Sequence, residues 1–265
     1  MNPVSDTAYY GCGLRMLDAR RRRPVCNDIY AERFMGERGQ EILQRFGAEP
    51  RSNMTNLARH RYIDDELRRR LADDPQLRVI LVGCGFDSRA FRLHGGQWFE
   101  LDEPPLIDHK NDKLPAASCS NSLVRIPIEF ATETLQAKLA AYADKRASIV
   151  ILEGVTMYLP SVALERTLRE LRKLFPSHEL IADLMSRAFA DRYGARVKGI
   201  IAGIGANLDP LGDPAAPFVR AGYRQLRSES IVLAGLTYQR LGWLRALMRL
   251  VSAGAVEGYT VRAFA

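Results

Sequence analysis

Two apolar rhythms divide the chain. Up to about residue 75, apolar residues recur at three- and four-residue steps, as in Asp28-Ile29-Tyr30-Ala31-Glu32-Arg33-Phe34-Met35 and Ala58-Arg59-His60-Arg61-Tyr62-Ile63-Asp64-Asp65-Glu66-Leu67, which predicts helices. From about 78 the pattern becomes short β-rich apolar runs, at 78–83, 97–102, 122–128, 148–153 and 179–184. Between them Ser88 to Leu93, Pro104 to Leu114, Thr132 to Ala143 and Ser161 to Phe175 read as helices, each opening near a residue suited to a first turn. Continuous apolar strands separated by helices predict a parallel sheet covered on both faces.

After 184 the regularity stops. Residues 185–213 are mixed and rich in Gly and Ala, and 231–255 carries a helix around Leu241 to Val251. Both stretches are too long for simple connections and are read as a cap. Two late strands, Tyr223 to Ser228 and Gly258 to Phe264, would close the sheet as an antiparallel pair. The expectation is an α/β, doubly wound, mostly parallel seven-stranded Rossmann-like sheet. A helical segment at 1–75 would pack on a core at 76–265 with cap insertions at about 185–213 and 231–255.

Composition excludes several classes of function. At 265 residues, 47% hydrophobic and 26% charged, the chain has the balance of a soluble protein with one main core. The excess of 38 basic over 31 acidic residues gives +7, much of it in the run Arg20 to Arg23. That run is neither interleaved with aromatics nor repeated, so nucleic acid is not expected as a partner. Cys12, Cys26, Cys84 and Cys119 have no close or CxxC spacing, which argues against a disulfide frame or a zinc site and fits a reducing cytoplasm. Met1 to Tyr10 lacks the pattern of a signal peptide, and the longest apolar stretch, Ile200 to Leu208, is far shorter than a bilayer span. A cytoplasmic protein with no membrane partner and no metal is expected.

The chemistry concentrates at Arg78-Val79-Ile80-Leu81-Val82-Gly83-Cys84-Gly85-Phe86-Asp87-Ser88-Arg89, followed by Trp98-Phe99-Glu100-Leu101-Asp102. A strand breaking at two glycines into a helix, with an acid about 20 residues downstream, is the spacing of a nucleotide-binding βαβ unit. Gly83 and Gly85 let backbone approach a ligand where a Cβ would intrude. Asp102 could accept hydrogen bonds from both ribose hydroxyls; the alternative is a cap for the helix from Pro104. Dinucleotide enzymes have Gly or Ala where this chain has Ser88, and Asp87 ahead of it would repel a pyrophosphate from the helix end. A nucleoside cofactor without phosphates fits better, and S-adenosylmethionine is the common one.

At these residues the chain resembles the leucine carboxyl methyltransferase family of class I S-adenosylmethionine-dependent methyltransferases, including bacterial relatives that methylate carboxyl or hydroxyl groups of small metabolites such as aromatic polyketides. Asp28-Ile29-Tyr30-Ala31 resembles the family's Asp-Pro-x-Ala element, with Ile29 in place of proline. Ala58 to Asp65 resembles its Arg-Thr-Arg-x-x-Asp-Asp helix, with His60 in place of threonine. Val82 to Leu93 resembles its Gly-x-Gly-x-Asp-Thr-Arg segment, Phe99 to Pro104 its Glu-x-Asp-x-Pro element, and Ile151 to Leu159 its Glu-Gly-x-x-x-Tyr-Leu element.

The resemblance implies that Arg59 binds the carboxylate of the cofactor's methionine part, a contact suited to a guanidinium fork. Without it, an ion pair with Asp64 or Glu66 on the same helix is an equal reading. It further implies that Glu153 lies near the methionine ammonium or sulfonium, where a cationic ligand would relieve a buried acid. Glu129 and Phe130 would contact adenine, Tyr158 would line the methyl-transfer site, and Arg15, in competition with Arg20, would close over the cofactor.

The expected activity is O-methylation of a small-molecule carboxylate or hydroxyl, possible acceptors including aromatic polyketides and other secondary metabolites. A carboxylate, with a pKa near ~4, arrives ionised, whereas a phenol near ~10 needs a base. None of His60, His94, His109 and His178 has a recognised catalytic spacing, which leans toward a carboxylate anchored by Arg187, Arg192, Arg196 or Lys198. Tyr193, Tyr223 or Tyr238 could assist a hydroxyl. The alternatives are methylation of a protein C-terminal carboxyl, a nicotinamide oxidoreductase and a non-catalytic nucleoside-binding module.

Overall fold

The computed structural model describes residues 3–46 and 50–265, so Met1 and Asn2 of the stretch read for a leader lie outside it. Seven strands form one sheet: β1 (Arg78–Val82), β2 (Gln97–Asp102), β3 (Ser122–Pro127), β4 (Ser148–Leu152), β5 (His178–Met185), β6 (Gln225–Ser230) and β7 (Tyr259–Phe264). Their order is β3-β2-β1-β4-β5-β7-β6, with β7 antiparallel to both neighbours and every other pairing parallel. The expected doubly wound sheet with a late antiparallel pair is therefore present.

The central strands are apolar on both sides because both sides are covered. Ile80 and Val82 of β1 pack under the Ser161–Leu174 helix layer, while Val79 and Leu81 face the Pro50–Asp73 helix. The charge inside β2 is compensated: Glu100 is fully buried and its Oε2 meets Lys110 Nζ at 2.7 Å and Arg125 Nε at 2.9 Å. Register then positions the site. Leu81 lies opposite Ile151 and Val82 opposite Leu101, so Gly83, Asp102 and Glu153 emerge along one edge of the sheet. Strand order reverses between β1 and β4 at this edge, where α/β sheets open a ligand crevice.

Two elements differ from the sequence reading. β6 begins at Gln225, not Tyr223, because the Tyr223 hydroxyl is held in the core by His178 Nε2 at 2.7 Å and by the carbonyl of Leu168 at 3.2 Å. The stretch from 231 forms the Ile231–Tyr238 helix, followed by the short helices Arg245–Val251 and Ala253–Gly258. Ile231 and Ala234 join the core against the sheet, and Gly235 lets the helix approach Met54 and Ala58 of the long helix. This part of the predicted cap is thus a core layer, with only its continuation over the cavity.

Candidate active site

The bend after β1 needs its glycines. Gly83 has φ +70° and Gly85 φ +48°, and a Cβ on Gly83 would stand 2.5 Å from Val155 Cγ2. Asp102 fastens this bend: its Oδ2 accepts the Gly85 amide at 2.7 Å and its Oδ1 the Glu103 amide at 2.8 Å. The carboxyl is buried in the cavity wall, and desolvation raises its pKa against the pull of those two amides. It does not cap the Pro104–Lys113 helix, whose flanking residue is Glu103.

Ser88 flanks the start of the Arg89–Arg92 helix, and Asp87, one residue earlier, occupies the helix end. Its Oδ1 accepts the Arg89 amide at 2.7 Å and its Oδ2 pairs with the Arg89 guanidinium. A carboxylate already sits where a pyrophosphate would dock.

Behind the bend lies a dense ionic cluster. Arg59 donates Nε to Glu153 Oε1 at 3.0 Å and Nη1 to Asp183 Oδ2 at 2.9 Å and to the Tyr259 hydroxyl at 2.7 Å. Asp183 Oδ1 also accepts the Gly154 amide at 2.7 Å, so the ends of β4, β5 and β7 are tied at one guanidinium. Arg89 is fully buried and reaches Asp64 Oδ1 at 2.6 Å, Glu153 Oε2 at 2.7 Å and His60 Nδ1 at 2.8 Å. Arg92 pairs with Asp64 Oδ2 at 2.6 Å.

Two expectations change here. Arg59 pairs with neither Asp64 nor Glu66, since Asp64 is taken by Arg89 and Arg92 and Glu66 by Arg70. Glu153 is not a lone buried acid: Arg89, His60 and Arg59 hold its pKa well below the ordinary carboxylate range despite burial. His60 and Arg59, adjacent on one helix, converge on the same Glu153 oxygen, with His60 Nδ1 at 3.3 Å. Burial and Arg89 lower the His60 pKa, and its ring nitrogens face Arg89 and Arg92. His60 is committed to the cluster and unsuited as a base for the cavity. Oxygen and nitrogen atoms of His60, Asp87 and Glu153 lie within 4.8 Å of one another, but they converge on the Arg89 guanidinium, which takes a cation's place.

Arg59, His60, Gly83, Gly85, Asp102, Phe130, Glu153, Tyr158 and Arg15 all line one cavity of about 910 Å³. Arg15 reaches it on the face of the Pro3–Ala19 helix that also presents Val4, Ala8 and Gly11. Its Nε meets Asp28 Oδ2 at 2.9 Å and its Nη2 the Phe86 carbonyl at 2.7 Å. Arg20 is on the surface, paired with Glu32 at 2.7 Å. Glu129 does not reach the cavity: it is exposed, and its Oε2 accepts the Thr132 hydroxyl at 3.0 Å. Glu103 lines the wall instead and accepts the Phe130 amide at 3.4 Å. Tyr158 bonds to Thr7, and burial raises its pKa.

Sequence reasoning missed Asp183, Tyr259, Arg89 and Glu103. An acid inside the apolar run Leu180-Ile181-Ala182-Asp183-Leu184 was a signal for the first, and Glu103 adjoins Asp102. Nothing in the order of residues marks Tyr259.

This sheet order, the glycine bend after β1 and the acid closing β2 together define a class I methyltransferase fold. The model of the leucine carboxyl methyltransferase family matches residues 10–172, and the chain belongs to that family. A relative in Mycobacterium tuberculosis (strain ATCC 25618 / H37Rv), provisionally named an S-adenosyl-L-methionine-dependent methyltransferase, is 29% identical over 215 residues, 74% of this chain and 70% of the relative. One in Mycolicibacterium smegmatis with the same provisional name is 31% identical over 179 residues, 61% of this chain and 60% of the relative. Among solved structures, a DUF574 family protein from Streptomyces avermitilis MA-4680 superposes with a TM-score of 0.60 at 11% identity, covering 89% of this chain and 95% of that one. A provisionally named methyltransferase from Thermobifida fusca YX gives 0.56 at 12% identity, covering 89% and 92%.

Proposed function

We propose that this chain is an S-adenosylmethionine-dependent O-methyltransferase acting on a carboxylate or hydroxyl of a small molecule, an aromatic polyketide or related secondary metabolite being the class that suits the cavity. The observation that carries this reading is convergence: Gly83 and Gly85, Asp102, and the Arg59–Glu153 pair, from separate motifs, line the same cavity.

The donor set fits this cofactor. Asp102 and Glu103 offer acceptors for ribose hydroxyls, and Phe130 offers a ring beside them. At the other end four guanidiniums, Arg15, Arg59, Arg89 and Arg92, meet five carboxylates, Asp28, Asp64, Asp87, Glu153 and Asp183. Arg68 also reaches Asp64 at 3.5 Å and balances the formal charge, while the wall facing the cavity carries the carboxylates of Asp87 and Glu153, which favour a ligand with cationic groups there. When bound, S-adenosylmethionine supplies a methyl group activated by a sulfonium.

The chain's own contribution is alignment and exclusion of water. The Pro3–Ala19 helix and the Arg187–Tyr193 helix close over the cavity, lined there by Ala8, Phe189, Val197 and Met248. Of the cap cations, Arg187 pairs with Asp209 and Lys198 with Asp191, while Arg192 lines the cavity rim. Arg192 is the anchor for an acceptor carboxylate. Among the described residues no cavity imidazole is free to act as a base, which supports an acceptor already ionised at neutral pH.

Methyl release from labelled S-adenosylmethionine over a panel of aromatic acids and phenols tests this reading. Turnover of acids, with kcat/KM level above ~5 after the acceptor ionises, supports it. Release to none of the panel, with methylation of a peptide C-terminus instead, would favour the protein acceptor.

A further inference from the structure

The Arg245–Val251 helix and the turn before it present an apolar stripe to solvent. Leu247 lies four residues from both Trp243 and Val251 and three from Leu250, and Trp243, Leu247, Leu250 and Val251 are 75%, 53%, 84% and 67% exposed. On the other side Met248 lines the cavity, as do Ser252 and Ala255 just beyond the helix. Nothing among the described residues covers the stripe, and a contiguous exposed apolar patch of this kind marks an interaction surface.

The surroundings say what covers it. Arg240 and Arg249 flank the stripe, both exposed and without a carboxylate partner among the described residues, on a chain of net charge +7. A two-fold contact between copies would bring Arg240 and Arg249 of both copies to one interface. Tryptophan and leucine on one surface with arginines at its margin is the composition of an element that lies in a membrane interface. Among the described residues no helix is long and apolar enough to cross a membrane, so such a contact is peripheral.

We infer that the stripe Trp243, Leu247, Leu250 and Val251 docks this protein on a bilayer surface bearing anionic headgroups. The apolar side chains enter the interface while Arg240 and Arg249 meet the headgroups. Because the same helix lines the cavity, docking would place the acceptor entrance against the lipid and favour a lipophilic acceptor; that consequence rests on the methyltransferase reading, whereas the docking does not.

The full chain has only two tryptophans, which makes the test direct. Trp98 is fully buried, with its ring nitrogen on the Gly95 carbonyl at 2.8 Å, and its emission serves as a constant background. Vesicles of phosphatidylcholine alone, and of phosphatidylcholine with phosphatidylglycerol, are titrated into the protein at low salt, with co-sedimentation read in parallel. The expected result is co-sedimentation and a blue shift with the anionic vesicles, both weakened by salt. Trp243→Phe should lose the blue shift and still sediment. Leu247→Glu/Leu250→Glu should partition roughly ten- to hundredfold less, with circular dichroism and S-adenosylhomocysteine affinity unchanged. Failure of the wild-type chain to sediment with anionic vesicles would overturn the inference. So would equal partitioning of the double variant, or a concentration-dependent dimer in sedimentation velocity that the double variant abolishes, which would assign the stripe to a contact between copies. Loss of methyl transfer with docking intact would count against the proposed activity and leave the docking in place.

Discussion

At the floor of the cavity, where β1, β4 and β5 end, charged side chains are held from several directions. Arg59, Arg89 and Glu153 each meet at least three polar partners, contributed by the long helix, the glycine bend and three strands. The roof is built of Phe189, Val197 and Met248, with polar links such as Tyr193 to Ser252 at 3.4 Å on its outer margin. A floor locked by ion pairs presents one fixed arrangement of donors and acceptors. A roof of apolar side chains sets shape without fixed direction. The contrast suits a constant cofactor below and a variable acceptor above.

The most severe way to break the contrast is to remove the floor's central cation. Arg89→Met leaves Asp64, Asp87 and Glu153 short of a partner in a buried site, and we expect a loss of about 3–5 kcal/mol, measured by urea unfolding. An exposed roof substitution such as Leu250→Ser should stay within about 0.5 kcal/mol.

Acid should attack the same floor. Arg15 and Arg92 hold Asp28 at about 2 against burial, Arg92 and Arg89 depress Asp64, and Arg89, His60 and Arg59 depress Glu153. Each carboxyl binds protons less readily folded than unfolded, so its contribution is full above the unfolded value of ~4 and is lost as pH falls through the native one. His60, whose native pKa lies below its ordinary ~6.5, adds a loss of the same sign that begins at milder acidity. Unfolding free energy measured across a pH series should decline below ~6.5 and steepen below ~4.

A gentler change separates the two ends of the cofactor. Arg59→Lys keeps a charge beside Glu153 and Asp183 but loses the fork. We expect S-adenosylhomocysteine to bind roughly ten- to a hundredfold more weakly, while methylthioadenosine, which lacks the amino-acid part, binds as before. Equal losses for both would place Arg59 elsewhere. The smallest effect is at the rim: Arg192→Ala should raise KM for a carboxylate acceptor up to about fivefold, as an exposed ion pair allows, with cofactor affinity unchanged.

Much of the floor could be read in the sequence because its elements announce themselves locally. β1 and β4 are continuous apolar runs, and Gly83, Gly85 and Asp102 keep a spacing that the strand-bend-helix unit imposes. The pairing of Arg59 with Glu153 spans 94 positions and depends on the long helix crossing the end of β4, which no local pattern encodes. Tyr259 enters only because β7 runs back beside β5, bringing it opposite Met185. Ile231–Tyr238 has apolar residues on every side and so no helical period to detect. Glu129 was misplaced because the chain turns after β3, sending its carboxylate to Thr132 while Phe130 faces inward.

The claim beneath all of this is that the glycine bend, Asp102 and Arg59 serve one sulfonium nucleoside. Calorimetric titration of the full chain with S-adenosylhomocysteine and, separately, with NAD tests it most directly. The account predicts saturable one-to-one binding of S-adenosylhomocysteine, weakened by Asp102→Asn, and no binding of NAD. Binding of NAD alone, or S-adenosylhomocysteine affinity indifferent to both Asp102→Asn and Arg59→Lys, would contradict it.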